Sequence, residues 1–131
     1  MPVKKILLID DDEDDQILFV DAVKGIDGTM LFEIGNNGLE ALALLRNAQK
    51  LPDMIFLDLN MPKMNGYEVL TELANDVVLK AIPVVIYTTS SSQADQLRTQ
   101  EMGAHYFLTK PSNLLHFESE LTKILRSVEA V

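Results

Sequence analysis

Acidic side chains, a threonine and a lysine follow the apolar segments of this sequence. The segment IDDDEDDQ (9–16) places six acidic residues after an apolar run, where their like charges repel one another. Farther along the chain, Asp58, Thr88 and Lys110 each stand at the end of another apolar run. Carboxylates brought together need a counter-charge, which a lysine or a divalent cation with oxygen ligands supplies. A metal and a lysine beside a carboxylate make a place for a phosphoryl group.

Short apolar runs precede these residues, and their composition predicts buried strands. They are rich in β-branched and aromatic residues and mostly continuous, which is typical of strands buried on both faces of a parallel sheet. The runs are KKILLI (4–9), DMIFLDL (53–59), IPVVIYT (82–88) and AHYFLT (104–109), with a weaker one at TMLFEI (29–34).

Helical patterns lie between the runs. Apolar residues recur at helical spacing and predict core-facing stripes; they are Phe19, Ala22, Val23, Ile26; Ala41, Leu44, Leu45, Ala48; Leu70, Leu73, Ala74, Val77; and Phe117, Leu121, Ile124, Leu125, Val128. In the segment 90–102 only Ala94, Leu97 and Met102 are apolar, so we expect a weakly packed and mobile helix there.

The order of strand and helix, repeated five times, predicts an α/β fold with a five-stranded parallel sheet and helices on both faces. The length of 131 residues fits a single domain over residues 1–131 in a doubly wound, flavodoxin-like arrangement. In such sheets the functional groups lie at the carboxyl ends of the strands. Asp10, Asp11, Asp58, Thr88 and Lys110 are therefore expected to converge at one edge of the sheet.

These residue types fit one mechanism of phosphoryl transfer. Asp58 would be the nucleophile and would form an acyl phosphate. Mg²⁺ would bridge a carboxylate and a phosphoryl oxygen and spread the developing charge. Lys110 and Thr88 would each hold a phosphoryl oxygen.

Composition excludes several other classes of function. The net charge of −9 and the absence of a Lys/Arg cluster argue against nucleic-acid binding, which needs a cationic face. The sequence has no cysteine, so a disulfide framework and a thiolate metal site are both excluded. No secretory leader and no apolar run near 18 residues is present, which predicts a cytoplasmic protein without a membrane segment.

Four segments in this order and spacing resemble the receiver domain, the phosphoacceptor module of two-component response regulators. They are LLIDD (7–11), FLDLNMPKMNG (56–66), VVIYTTS (84–90) and YFLTKP (106–111). The resemblance covers about residues 4–128 and implies that Asp58 is the phosphoacceptor. It also implies that Asp10, Asp11, Asp58 and the backbone carbonyl of Asn60 hold Mg²⁺, for which Mn²⁺ is an expected substitute.

The same resemblance assigns the switch residues. Thr88 matches the switch hydroxyl, Phe107 the switch aromatic, and Lys110 the lysine that meets the phosphoryl group. The Lys110–Pro111 bond resembles a cis peptide of the family, which a prolyl bond permits at modest cost. Asn60 and Ser90 occupy positions that flank the attacking water in dephosphorylation, which predicts slow to moderate self-hydrolysis. Thr89 is larger than the usual residue and is expected to narrow the access to Asp58.

The remaining acids of the first run are expected to serve the first helix. Asp12 is predicted to cap it, with Glu13, Asp14 and Asp15 in its first turn, where acids favour the positive end of the helix dipole. An alternative register makes Asp11 and Asp12 the metal pair. At the fourth helix, Ser90 or Ser91 is the expected cap.

The resemblance implies a stand-alone signalling protein rather than an enzyme. A histidine kinase or phosphotransfer protein would phosphorylate Asp58, and a partner protein would bind the surface of the fourth helix, fifth strand and fifth helix. The protein is expected to be a monomer or a weak homodimer. Two alternatives remain, a receiver-fold binding module that is never phosphorylated and a dehalogenase-like phosphatase. The phosphatase needs a second acid two residues after the nucleophile, where this sequence has Asn60.

Overall fold

Five parallel strands and five helices alternate along the chain in the computed structural model, which describes residues 3–129. The strands are β1 (Lys5–Ile9), β2 (Leu31–Gly35), β3 (Met54–Leu57), β4 (Val84–Thr88) and β5 (Tyr106–Thr109). The helices are α1 (Glu13–Ile26), α2 (Gly38–Asn47), α3 (Gly66–Ala74), α4 (Gln93–Glu101) and α5 (Leu114–Glu129), with a 3₁₀ turn at Leu79–Ala81.

The strand order in the sheet is β2-β1-β3-β4-β5, and every pair is parallel. The chain moves outward from β1 to β2 and then returns to place β3 on the other side of β1. The order therefore reverses between β1 and β3, which is where open α/β sheets form a crevice beyond the strand ends. This topology confirms the predicted flavodoxin-like fold.

The central strands are buried on both faces, which explains their continuous apolar sequences. Alternate residues of β1 divide between two cores, with Leu7 and Ile9 in one and Ile6 and Leu8 in the other. The second core centres on Phe19 of α1, whose ring packs against four other aromatic rings, those of Phe32, Phe56, Tyr87 and Phe117.

The beginning of α1 agrees with its prediction. The Asp12 side chain accepts a hydrogen bond of 3.1 Å from the backbone N–H of Asp15 and caps the helix. Glu13, Asp14 and Asp15 form the acidic first turn. Asp12 is thereby committed to the helix.

Two predicted helix features differ in the structure. α3 ends at Ala74, so Val77 lies beyond it and is 79% exposed instead of completing the apolar stripe. The cap of α4 is Ser92 rather than Ser90 or Ser91, because the Ser92 hydroxyl accepts the hydrogen bond from the N–H of Asp95.

The weak packing predicted for the fourth helix is confirmed. Thr99 is the one buried side chain of α4, while Leu97 is 60% exposed. The helices of the part of the chain that the structure describes are all too short or too polar to cross a membrane.

Candidate functional site

The strand ends hold three of the predicted site residues through backbone hydrogen bonds to neighbouring strands. The N–H of Asp10 donates to the carbonyl of Gly35 at 3.1 Å, and the N–H of Asp58 donates to the carbonyl of Ile9 at 2.9 Å. The N–H of Lys110 donates to the carbonyl of Thr88 at 2.6 Å. Since each of these residues continues the sheet ladder by one step, its backbone is held at the carboxyl edge as predicted.

The ammonium group of Lys110 lies among three carboxylates. Its Nζ is 2.8 Å from Asp15 Oδ2, 2.9 Å from Asp10 Oδ2 and 3.2 Å from Asp58 Oδ2. The contacts with Asp15 and Asp58 are aligned hydrogen bonds. The Asp10 Oδ2 atom is buried and accepts no aligned hydrogen bond, so its contact with the lysine is an ion pair alone.

Burial controls the ionisation of this group of residues. Burial raises the pKa of both Asp10 and Asp58 above the ordinary aspartate value, although the Lys110 charge acts in the opposite direction. Burial alone would lower the pKa of Lys110, but its close contacts with Asp10 and Asp15 and the charge of Asp58 raise it above its usual range. The lysine therefore stays charged and leaves the carboxylates incompletely compensated.

The carboxylates fit a divalent cation. Ligand oxygens of Asp10, Asp11 and Asp58 all lie within 4.8 Å of one another. Asp10 and Asp58 are buried, whereas Asp11 is exposed at the rim. One of these oxygens, Asp10 Oδ2, is buried and accepts no hydrogen bond. Carboxylate oxygens are the ligands that hard cations such as Mg²⁺ and Mn²⁺ prefer, so this group of residues fits such a cation. Asp12, the member of the alternative register, faces the helix end instead.

The remaining predicted residues surround this centre. The N–H of Asn60 donates to Asp58 Oδ1 at 3.3 Å, and the Asn60 side chain is exposed. Thr88 is fully buried, and its hydroxyl oxygen accepts a 3.4 Å hydrogen bond from the N–H of Ser90. Within residues 3–129 no hydrogen bond joins Thr88 to Asp58. Phe107 is half-buried against the core on the α2–α3 side of the sheet.

The predicted cis peptide is wrong for this structure. Residues 3–129 contain no cis peptide bond, so Lys110–Pro111 is trans. The trans form is the intrinsically preferred isomer even before proline. The ammonium group reaches its three carboxylates from this backbone, so the observed contacts do not require the cis isomer.

Two contact residues were missed by the sequence interpretation. Asp15 was assigned to the helix end alone, yet it contacts Lys110. The buried Gln16 was assigned no role, and its amide donates to the carbonyl of Asp10 at 2.7 Å and to Asn36 Oδ1 at 2.9 Å. A pattern does point to Asp15, because it lies four residues before the buried Phe19 and so on the same face of α1.

A polar cluster beside the site joins α3 to the start of α4. Tyr67, interpreted from sequence as a packing residue, donates its hydroxyl to Asp95 Oδ1. The Ser90 hydroxyl donates to Asp95 Oδ2 at 2.6 Å, and the Arg98 guanidinium lies 4.0 Å from the centre of the Tyr67 ring. The hydrogen bonds from Ser90 and Tyr67 lower the pKa of Asp95. This cluster ties the loop after Thr88 to α3.

Replacing Tyr67 with phenylalanine is expected to lower the free energy of unfolding at pH 7 by about 1 kcal/mol, the net contribution of a typical hydrogen bond. The pKa of Asp95 is lowered in the folded state, so its stabilising contribution is complete above the ordinary aspartate value and is lost as the pH falls through the folded value. The difference between Tyr67→Phe and the parent is therefore expected to shrink on acidification. Urea unfolding followed by circular dichroism at several pH values measures it.

Tyr106→Phe is the matched control for that measurement. The Tyr106 hydroxyl makes no hydrogen bond within the described part of the chain, so this variant is expected to unfold like the parent. An equal loss of stability in both variants would show that the Tyr67–Asp95 contact contributes nothing specific.

Comparison with known proteins agrees with this geometry. A family model described as the response regulator receiver domain matches residues 6–123. The chain is 36% identical over 136 residues to response regulator Rcp1 of Synechocystis sp., and the match covers 98% of this chain and 88% of Rcp1.

Solved structures give the same result. The phosphorylated cyanobacterial phytochrome response regulator RcpA superposes with a TM-score of 0.81 at 35% identity, covering 97% of this chain and 91% of that one. The Mn²⁺-bound form of Rcp1 superposes with a TM-score of 0.78 at 35% identity, covering 97% and 92%. Each match spans nearly the whole of both chains, and the family model covers most of this one. The chain belongs to the family of response regulator receiver domains.

Proposed function

We propose that this protein is the phosphoacceptor of a two-component signalling system and that Asp58 accepts the phosphoryl group. The observation that supports this proposal is the position of Asp58. The residue is 5% exposed, and its carboxylate lies within ligand distance of Asp10 and Asp11 and accepts a hydrogen bond from Lys110. A nucleophile, a cation site and a fixed positive charge thus meet at the open end of the sheet.

The chemistry follows from these contacts. An Asp58 carboxylate oxygen attacks the phosphorus of a phosphohistidine on a kinase or phosphotransfer protein. A phosphorus–oxygen bond forms, the phosphorus–nitrogen bond breaks, and the histidine leaves with the bonding electron pair and is protonated. Lys110, already bound to Asp58, neutralises a phosphoryl oxygen. Asp10, Asp11, Asp58 and the Asn60 carbonyl would hold Mg²⁺ or Mn²⁺, which supplies further charge neutralisation when bound.

The output of this reaction is a shift between two conformations. The phosphoryl group binds the Thr88 hydroxyl, Phe107 turns inward, and the surface formed by α4, β5 and α5 changes. The weak packing of α4 supports this proposal, because a helix with one buried side chain can move at low cost. A partner protein then recognises the changed surface.

The other properties of the protein follow from this role. We propose a single receiver domain over residues 1–131 that works in the cytoplasm as a monomer or weak homodimer. It acts on no separate substrate, and the acyl phosphate at Asp58 hydrolyses slowly to moderately. The Ser90 hydroxyl, expected beside the attacking water, is held by Asp95, which supports a slow reaction.

The test is phosphoryl uptake from a small phosphodonor, measured by intact mass with and without Mg²⁺. We expect a gain of one phosphoryl group that needs the cation. No gain, together with no binding of beryllofluoride as a phosphoryl mimic, would contradict the proposal and favour a constitutive binding module.

A further inference from the structure

We propose that Asp15 is a positioning residue for Lys110 and that it holds the ammonium group in one direction throughout the phosphorylation cycle. The inference rests on the proposed function, since the lysine is positioned toward the phosphoryl group on Asp58. It assigns a role to an acid that lies outside the strand ends and that was expected to serve only the helix terminus.

The contact itself is close and protected. Asp15 Oδ2 accepts an aligned hydrogen bond from Lys110 Nζ at 2.8 Å, the shortest of the three contacts of this ammonium group. The lysine side chain is 9% exposed and that of Asp15 is 32% exposed. The solvent exposure of this ion pair is therefore intermediate between that of a surface pair, which water screens, and that of a fully buried pair.

Asp15 is the partner whose state is constant. Asp10 and Asp58 are both candidate cation ligands. In the proposed reaction, a carboxylate oxygen of Asp58 also forms the bond to phosphorus in the acyl phosphate. Their oxygens therefore change partners during the cycle. Among the described residues, the acids close enough to share a cation are Asp10, Asp11 and Asp58, without Asp15. The hydrogen bond from Lys110 to Asp15 can thus persist while the other two contacts are replaced.

The backbone of Asp15 is well suited to this role. It lies in the first turn of α1, and its N–H is bound to the capping carboxylate of Asp12 at 3.1 Å. The next residue, Gln16, is buried and is tied to the carbonyl of Asp10 at 2.7 Å. The start of the helix is therefore fixed to the end of β1, and Asp15 is fixed with it.

An ammonium group has three N–H donors in a tetrahedral arrangement. With one donor fixed on Asp15 and a second on Asp58, the ammonium group stays beside Asp10 and Asp58, where a phosphoryl oxygen would bind. Without Asp15, the ammonium group is free to rotate and to move deeper between Asp10 and Asp58. It would then compete with a cation for those oxygens.

The experiment observes the ammonium group directly, in the full-length protein without phosphodonor. Its side-chain ¹⁵N resonance is assigned as the one lost in Lys110→Arg, and the hydrogen-exchange rate and order parameter are measured. We expect a slowly exchanging, ordered ammonium group in the parent, partial loss of order in Asp15→Asn, and the largest loss in Asp15→Leu. Asp14→Asn, an exposed acid of the same turn, is the charge-matched control and is expected to leave the resonance unchanged.

Phosphoryl uptake supplies the second measurement. We expect uptake by Asp15→Leu to be about tenfold slower than in the parent, because small misplacement of a positioned group costs one to two orders of magnitude in rate. Asp14→Asn is expected to stay within about twofold. An unchanged Lys110 resonance in Asp15→Leu, or equal slowing in Asp14→Asn, would overturn the role of Asp15. Absence of uptake in the parent would instead overturn the proposed function, while the resonance still reports the contact.

Discussion

Asp58→Asn is expected to abolish phosphoryl uptake and, in metal-free buffer, to make the protein more stable than the parent. Both effects follow from the burial of one carboxylate. Asparagine keeps the shape of the side chain but cannot form an acyl phosphate. Because asparagine is neutral, the substitution also removes the negative charge of a residue that is 5% exposed and that repels Asp10 and Asp11. A variant that loses function while gaining stability cannot owe the loss to misfolding.

The direction of the stability change comes from the pKa of Asp58. Burial raises this pKa more than the Lys110 charge lowers it, so the folded state resists ionisation of the carboxyl group. The resulting penalty is complete above the folded pKa and disappears as the pH falls through that value toward the unfolded one. Asp58→Asn is therefore expected to be more stable than the parent at pH 7, because one of the crowded carboxylates becomes neutral while Lys110 keeps its ion pairs with Asp10 and Asp15. The gain shrinks on acidification.

Urea unfolding followed by circular dichroism in chelator-treated buffer measures this change. Asp14→Asn is the control, since an exposed acid is expected to change the free energy of unfolding by less than about 0.5 kcal/mol. Adding Mg²⁺ is expected to stabilise the parent more than Asp58→Asn, because only the parent keeps every candidate ligand. A variant less stable than the parent at neutral pH would contradict the interpretation that burial dominates the energetics of this carboxylate.

The fold was predictable because the apolar runs, the helical spacing between them and their order along the chain all indicate the same α/β arrangement. Continuous apolar runs such as the one ending at Ile9 belong to strands covered on both faces, and this signal is local. The position of Val77 was not predictable, because helical periodicity continues through it. The actual end of α3 depends on Asp76, which accepts hydrogen bonds from the N–H groups of Val78 and Leu79 and begins the next turn.

The centre of the candidate site was predictable for a topological reason. Residues that follow parallel strands meet at one edge of the sheet, so Asp10, Asp58 and Lys110 could be brought together without coordinates. The contact of Asp15 with Lys110 and the contact of Tyr67 with Asp95 could not, although the helical spacing from Phe19 places Asp15 on the buried face of α1. Each depends on the direction in which a helix leaves the sheet and on a partner distant in sequence, and spacing along the chain encodes neither.

Gly66→Ala is expected to be the most damaging single-methyl change near the site. The Cβ of an alanine at this position would lie 2.5 Å from the carbonyl oxygen of Asp58 and 2.7 Å from the Cα of Leu59. Both are backbone atoms, which cannot rotate away as a side chain can. The same glycine donates its N–H to the carbonyl of Leu59 at 3.0 Å, so the loop and the start of α3 are in direct backbone contact. The added methyl group must therefore move the segment that carries Asp58.

We expect Gly66→Ala to lower the free energy of unfolding by about 3 kcal/mol, the upper range for forced overpacking. Gly25→Ala is the matched control, because a Cβ there lies 3.7 Å from its nearest neighbour, a flexible Glu118 oxygen. Gly25 lies inside α1, so Gly25→Ala is expected to raise the free energy of unfolding by about 0.5 to 1 kcal/mol, because alanine has the higher helix propensity. Urea unfolding distinguishes the expected loss of stability in Gly66→Ala from the expected gain in Gly25→Ala. Equal changes in the free energy of unfolding at both positions would refute the argument that the backbone approaches Gly66 too closely for a methyl group.

The consequence for function is specific to the loop. If the fold of Gly66→Ala persists at low temperature, the displaced Asp58 carbonyl moves its side chain relative to Lys110 and Asp10, which stay on other strands. Phosphoryl uptake per folded molecule is then expected to fall by about a hundredfold, as for a misplacement of about 1 Å. Normal uptake in the folded fraction would show that the loop absorbs the methyl group without moving the acceptor. The space beneath Asp58 would then be larger than the distances at Gly66 indicate.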